Sequence, residues 1–379
     1  MKLSELPVSF MKGVCFLAFT CLIAACSSGP EKLKPAQLPP LVDLVGVRLA
    51  WSSSLAPVDL PLEIKVSGST VVVASTDGAV GAYDTLTGAS LWQAKLTEQI
   101  STGFGTDGHR AALVTRSNDL IVLESGREIW RQKLQAQSFT APLVAGGRVF
   151  LLTADRAVSA FDAQSGRKLW VQQRPGESLV LRQTGVLSTF GDTLIVGSGG
   201  RLVGMNPGNG MARWEVPIAS ARGTNDVERL VDLIGTTTRQ GEVLCARAFQ
   251  AAVGCVNAAK GTLVWTKPAM GATGMAGDDR HVFGVEGNGK LVAWRRSDGE
   301  RVWAADSLLH RTLTAPLVVG SSVVVGDDSG LLHFLSREDG SSLARIATDG
   351  SPVMAAPVLA GGTLVVVTRK GGIFGFKPE

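Results

Sequence analysis

Eight short apolar runs punctuate the chain: TVVVAS from Thr70, RAALVTR from Arg110, RVFLLTA from Arg148, TLIVGS from Thr193, EVLCARA from Glu242, HVFGVEG from His281, SVVVGDD from Ser322 and TLVVVTR from Thr363. Each is too short for a helix, and most are rich in β-branched residues and bounded by Gly, Asp, Asn or Ser. That predicts buried β-strands. A second phrase follows most runs, as in AYDTLTGASLW ending at Trp92, AFDAQSGRKLW ending at Trp170 and AWRRSDGERVW ending at Trp303. It reads as a short strand, a turn opened by Asp or a similar residue, a Gly, and a next strand closed by Trp. In the second example Phe161 and Trp170 supply aromatic mass between layers, while Asp162 and Gly166 shape the turn. Stripes of 3.6-residue period are absent.

The Trp positions are 51, 92, 130, 170, 214, 265 and 303, with Ala344 where an eighth would fall. A period of about 40 residues with four short strands per unit is the signature of a β-propeller blade. Runs and Trp positions are offset, because Trp51 precedes every run and TLVVVTRKGGIFGFKPE has no Trp after it. A ring resolves the offset if the segment around Trp51 supplies the outer strand of the blade begun by the C-terminal run. The expected fold is therefore all-β, an eight-bladed propeller of four-stranded antiparallel blades over residues 46–379, closed by pairing the two chain ends. Closure leaves no open sheet edge; unpaired ends would leave seven blades.

The rhythm is broken on one side only. From each Trp position to the next apolar run the distance is 16 to 19 residues in six cases, but 23 after Trp170 and 28 after Trp214. The extra length lies in two consecutive connections from an outer strand to the next inner strand. Such connections emerge on one face of a propeller, so these two are expected side by side. The first contains SLVLR, with Leu179, Leu181 and Arg182; the second contains NDVERLVDL, with Arg229 and Asp232 among apolar Val227 and Leu230. Loops on a rigid scaffold are where binding residues concentrate, and Arg beside exposed Leu has the composition of an interface hot spot. The alternative is that the leucines seal each loop against its own blade.

Composition narrows the function classes. With 45% hydrophobic residues, 18% charged residues and 45 Gly, the chain has the material for a large core. Its formal net charge of +4 includes no run of five or more Lys or Arg, so there is no nucleic-acid footprint. At the N-terminus, Lys2 and Lys12 precede an apolar run from Val14 to Ala25 that is shorter than the ~20 residues needed to span a bilayer. Residues 1–25 read as a secretory signal, and Met11 would start an equally complete one. The run ends in LIAAC, and small residues before Cys26 resemble the lipobox of bacterial lipoproteins, which are cleaved before a Cys that becomes diacylated. A plain secreted protein cut at an Ala-x-Ala-like site is the alternative. Ser27 in place of Asp implies, by that resemblance, sorting to the outer membrane. Residues 26–45, Pro-rich and polar, read as the lipidated Cys and a flexible tether.

Once the signal and Cys26 are set aside, Cys245 and Cys255 remain, ten residues apart on what reads as two arms of a hairpin. They either bridge across it, as an oxidising compartment permits, or sit as two small buried thiols. The four His share no ligand spacing, so no metal site is expected.

The A-x-D-x-x-x-G-x-x-x-W pattern resembles the tryptophan-docking repeat of pyrroloquinoline-quinone-type propellers. Two families share it: the larger quinoprotein dehydrogenases, with quinone and calcium at the centre, and the BamB family, lipoproteins of the outer-membrane β-barrel assembly (BAM) machinery that keep the repeat without a cofactor. The chain resembles the BamB family over nearly its whole mature length, most specifically in ESLVLRQTG (177–185), NDVERLVD (225–232) and the stretch 306–332. That resemblance implies a non-enzymatic scaffold on the periplasmic face of the outer membrane, with no cofactor. Its implied partners are the POTRA domains of BamA, other BAM components and unfolded outer-membrane clients. Leu179, Leu181, Arg182, Arg229 and Asp232 match the family's partner-binding positions, whereas Ile234 stands where that family often has a second Asp. The enzyme reading lacks its parts, since no adjacent cysteines, P-loop, HExxH or GxSxG occurs. A generic periplasmic ligand-binding propeller using its central channel is the third reading.

Overall fold

Each of the eight apolar runs is the second strand of a four-stranded antiparallel sheet. The structure is a computed structural model that describes residues 33–59, 62–174, 179–221, 224–225 and 229–378. Blades 1 to 7 follow chain order. Blade 3, for example, comprises Leu143–Ala145, Arg148–Leu152, Ala157–Asp162 and Lys168–Gln173 from the inner to the outer strand. The second and third strands are buried almost throughout because neighbouring blades cover both of their faces, so they read as continuous apolar runs. Outer strands such as Ser90–Lys95 have only one covered face and alternate between exposed and half-buried positions.

The repeated phrase joins one blade to the next. Trp130, on the outer strand of blade 2, donates its indole N–H to the Ala163 carbonyl of blade 3 at 2.9 Å and covers Gly166. A Cβ at Gly166 would lie 2.7 Å from the Trp130 ring, and the residue's φ is +71°, so both space and backbone conformation require glycine. The Asp162 carboxylate accepts the amides of Gln164 and Ser165 and the Ser165 hydroxyl, fixing the turn beneath the ring. The same indole-to-carbonyl bond runs from Trp170 to Pro207, Trp265 to Arg296 and Trp303 to Arg337. A docked indole buries on the order of 200 Å², roughly 5 kcal/mol of gross transfer free energy as an upper bound.

The ring closes as the offset predicts. Val47–Ser54 pairs antiparallel with Gly372–Pro378, from Val47 opposite Pro378 to Ser54 opposite Gly372, and Trp51 docks on Thr85 of blade 1 at 2.9 Å. Blade 8 therefore has two chain ends where other blades have a turn between the third and outer strands. That explains Ala344: the outer strand of blade 7 has no such turn to dock an indole on. Its surroundings are filled by Phe376, Val45, Val47 and Phe374.

Residues 36–45, expected as part of the tether, are instead docked on the propeller. The propeller unit begins at Ala36. Ala36 donates to the Leu309 carbonyl at 2.9 Å, and Leu44 to the Leu343 carbonyl at 2.7 Å. Leu38 and Val45 join core clusters. Apolar residues scattered through this Pro-rich stretch find sites on blades 6 and 7, which composition read as a linker could not indicate. Cys26 and the signal segment 1–25 lie outside the described residues.

Candidate functional site

Strand polarity places the site. Inner strands run away from the face at which outer-to-inner connections cross. The turns between second and third strands therefore return to that same face, while the Trp-docking turns lie on the opposite one. The two enlarged connections, after Gln173 and after Pro217, cross the first face between blades 3 and 4 and between blades 4 and 5. They are adjacent and in contact. Gly185 and Ile234 form a β-bridge, and the Gly235 amide donates to the Thr184 carbonyl at 2.7 Å.

At the contact the two loops share one carboxylate. One Asp232 oxygen accepts the Leu181 amide at 3.0 Å, and the other accepts Arg156 Nη1 at 3.0 Å. Arg156 Nη2 continues to the Leu179 carbonyl, also at 3.0 Å. Both ionised side chains are largely buried, so each satisfies a charge that would be costly alone. Nearby, Thr140 of the preceding connection accepts the Gly185 amide at 2.9 Å.

The five expected contact residues therefore divide. Leu179 is 42% exposed, and Arg182 and Arg229 are also exposed. Arg182 lies with its guanidinium 5.5 Å from the centre of the Phe139 ring, a cation–π contact that holds it on the surface. Leu181 is half-buried and lines a small hollow of about 50 Å³ between the loops, together with Leu152, Val180 and Ile234. Asp232 turns inward, so its role here is to hold the loops. The Arg229 amide donates to the Asn225 carbonyl at 3.0 Å. Asp226, Val227 and Glu228 of the second loop lie outside the described residues. Arg156 and Phe139 were missed by the sequence reading. Phe139 left no local signal, whereas Arg156 did.

Arg182 also borders two larger depressions on this face. One, of about 490 Å³, is polar and lined by Asp59, Arg116, Asn118 and Gln137. The other, of about 550 Å³, is the mouth of the central channel, where Thr184, Thr236, Thr273, Thr312 and Thr314 contribute hydroxyls. Its carboxylates are Glu63, which is ion-paired with Lys65, and Asp328. This donor set does not fit a quinone–calcium centre, which needs several acidic and amide ligands converging on one ion. Among the described residues no group of three or more His, Cys, Asp or Glu is arranged to hold a metal.

Elsewhere on the face, Asp327 of blade 7 is fully buried, with Arg311 at 3.1 Å and His333 at 2.9 Å. Burial alone would raise its carboxyl pKa. Hydrogen bonds from His333 and the Leu331 amide outweigh that and leave it below the ordinary carboxylate value. In blade 5, Cys245 and Cys255 stand directly opposite on the second and third strands and are disulfide-bonded, beneath full burial.

Fold and site together define a tryptophan-docking propeller of the pyrroloquinoline-quinone type, with one rim elaborated by two enlarged loops in mutual contact. The family described as outer membrane protein assembly factor BamB matches residues 50–305. The chain belongs to that family. It is 35% identical to the outer membrane protein assembly factor BamB of Burkholderia pseudomallei (strain K96243), over 96% of each chain. It is 32% identical to that of Bordetella pertussis (strain Tohama I), over 97% of each. The crystal structure of BamB from Moraxella catarrhalis superposes with a TM-score of 0.80 at 24% identity, covering 87% of this chain and 99% of that one.

Proposed function

We propose that this protein is a non-catalytic scaffold of outer-membrane protein assembly, lipid-anchored through Cys26 at the periplasmic face of the outer membrane. In this reading its two-loop surface grips a POTRA domain of BamA and assists insertion of β-barrel clients. Relatives named outer membrane protein assembly factor, matched over nearly their whole length, support the general role. The observation that carries the specific one is the pair of enlarged loops held side by side, with Leu179 and Arg182 turned to solvent. A rigid rim with an aliphatic residue and a stacked arginine suits a standard protein interface: the anchors pay little entropy on binding, and the surrounding polar rim gives register.

The mechanism is positioning. A propeller gives its loops a base that does not deform, so a domain held on it keeps one orientation. The test is Arg182→Ala measured against an isolated POTRA domain. A loss of about 2 kcal/mol, roughly 30-fold in Kd, is expected with the melting temperature unchanged. Binding at wild-type affinity would remove the anchor on which this reading rests.

A further inference from the structure

A four-residue turn between the second and third strands recurs on the site's face in six of the eight blades, and its fourth residue follows a rule. Blades 1, 2, 6, 7 and 8 read STDG (75–78), TRSN (115–118), EGNG (286–289), DDSG (327–330) and TRKG (368–371). In each, the amide of the fourth residue donates to the carbonyl of the first, and the fourth residue has φ between +64° and +94°. Gly and Asn are the residues that tolerate this conformation. Blade 3 reads TADR (153–156). Arg156 makes the same bond to Thr153 at 2.9 Å and takes the same conformation, with φ +64°. An arginine at this position is strained for its own blade, and such strain persists only where surrounding contacts over-determine it.

Two side-chain bonds of Arg156 go to the enlarged loops, one to the Leu179 backbone in the first and one to the Asp232 carboxylate in the second. Asp232 passes the connection on to the Leu181 amide. The three bonds tie the residues flanking Val180 to the second loop and to a rigid hairpin of blade 3.

We propose that Arg156 is a positioning residue: it acts through Asp232 to hold the two loops as one preformed binding surface, without itself touching the partner. This rests on the proposed function, in which that surface binds a POTRA domain. Without the tie the loops sample other arrangements, and apparent affinity falls by the fraction of molecules still competent to bind. The loss then appears mainly in the association rate.

Arg156→Gly separates this role from a merely structural one, because it restores the residue used by four of the other five turns. Relief of the turn strain offsets part of the cost of leaving Asp232 without its ion-pair partner, so the full mature protein carrying it is expected to melt only a few degrees below the wild-type temperature and to bind an isolated POTRA domain about tenfold more weakly. Exchange of the Leu181 amide with deuterium should accelerate by a similar factor. Asp232→Asn, which keeps an acceptor for Leu181 but breaks the ion pair, should give a comparable loss. The double variant should bind no worse than the weaker single one, as expected of residues acting as a unit. Arg182→Ala runs alongside as the control. If Arg182→Ala loses binding while Arg156→Gly binds like wild type, or if the two lock substitutions are additive, the positioning role is overturned. If Arg182→Ala also binds like wild type, the partner surface itself was misassigned. In that case, unchanged Leu181 exchange in Arg156→Gly would dispose of the lock as well.

Discussion

The corner spanning blades 3, 4 and 5 and the seam joining blades 7, 8 and 1 both depart from the 40-residue rhythm, in opposite senses. At the corner, chain is added outside the ring, and its charged and apolar residues are divided between an internal clamp and open solvent. At the seam a turn is missing, Trp is replaced by Ala344, and the incoming segment from Ala36 fills the space with Val45 and Val47. Irregularity in a repeat is thus not itself a mark of function. What separates the two regions is what the departures pack against: at the seam Ala344 and Phe376 are buried and Val45 and Val47 pack against their cluster, while the corner leaves Leu179, Arg182 and Arg229 outside.

The contrast can be broken from either side. The largest effect is expected from Trp51→Ala, which removes the indole linking the closing blade to blade 1. About 3–5 kcal/mol of stability should be lost in denaturant unfolding. POTRA affinity below the melting temperature should not change, whereas Arg182→Ala should do the reverse. A drop in affinity for Trp51→Ala under native conditions would show that seam and corner are coupled.

A smaller effect is expected in acid. The folded-state pKa of Asp327 lies below its ordinary value, so the stability it contributes is fully present above about pH 4 and is lost as pH falls through the folded value. Arg311 joins that carboxylate to the Ala36 carbonyl, so protonation loosens the docked N-terminal segment. The melting temperature should fall as pH is lowered below about 4, and Asp327→Asn should flatten that part of the profile. An unaltered profile in the variant would show that this network does not hold the seam.

The smallest is Leu38→Ala. Half-buried in the blade 6–7 cluster, this side chain should contribute about 1 kcal/mol, detectable as a shift in denaturant midpoint with no effect on partner binding. No shift would return residues 36–45 to the status of a tether.

Much of this molecule is local in origin and could be read along the chain. The Trp period, the offset between Trp51 and the last apolar run, and the surplus residues after Trp170 and Trp214 are each set by neighbouring residues, because a blade is built from consecutive strands and short turns. They determined the ring, its closure and the face and neighbourhood of the enlarged loops. Arg156 left a trace too, as the one arginine closing a four-residue turn that five other blades close with Gly or Asn, but the trace acquires meaning only beside those blades.

What the fold alone decided is the destination of side chains across long separations. Arg156 and Asp232 are 76 residues apart, and nothing near either one says that they share a bond. The same holds for Arg182 on Phe139, for Leu38 in a cluster formed some 250 to 300 residues later, and for Asp232 turning inward where the family pattern suggested contact. Chain-local chemistry sets strand, turn and period. Burial and ion pairing depend on which distant surfaces the closed ring brings together, and that is settled only when all eight blades are in place.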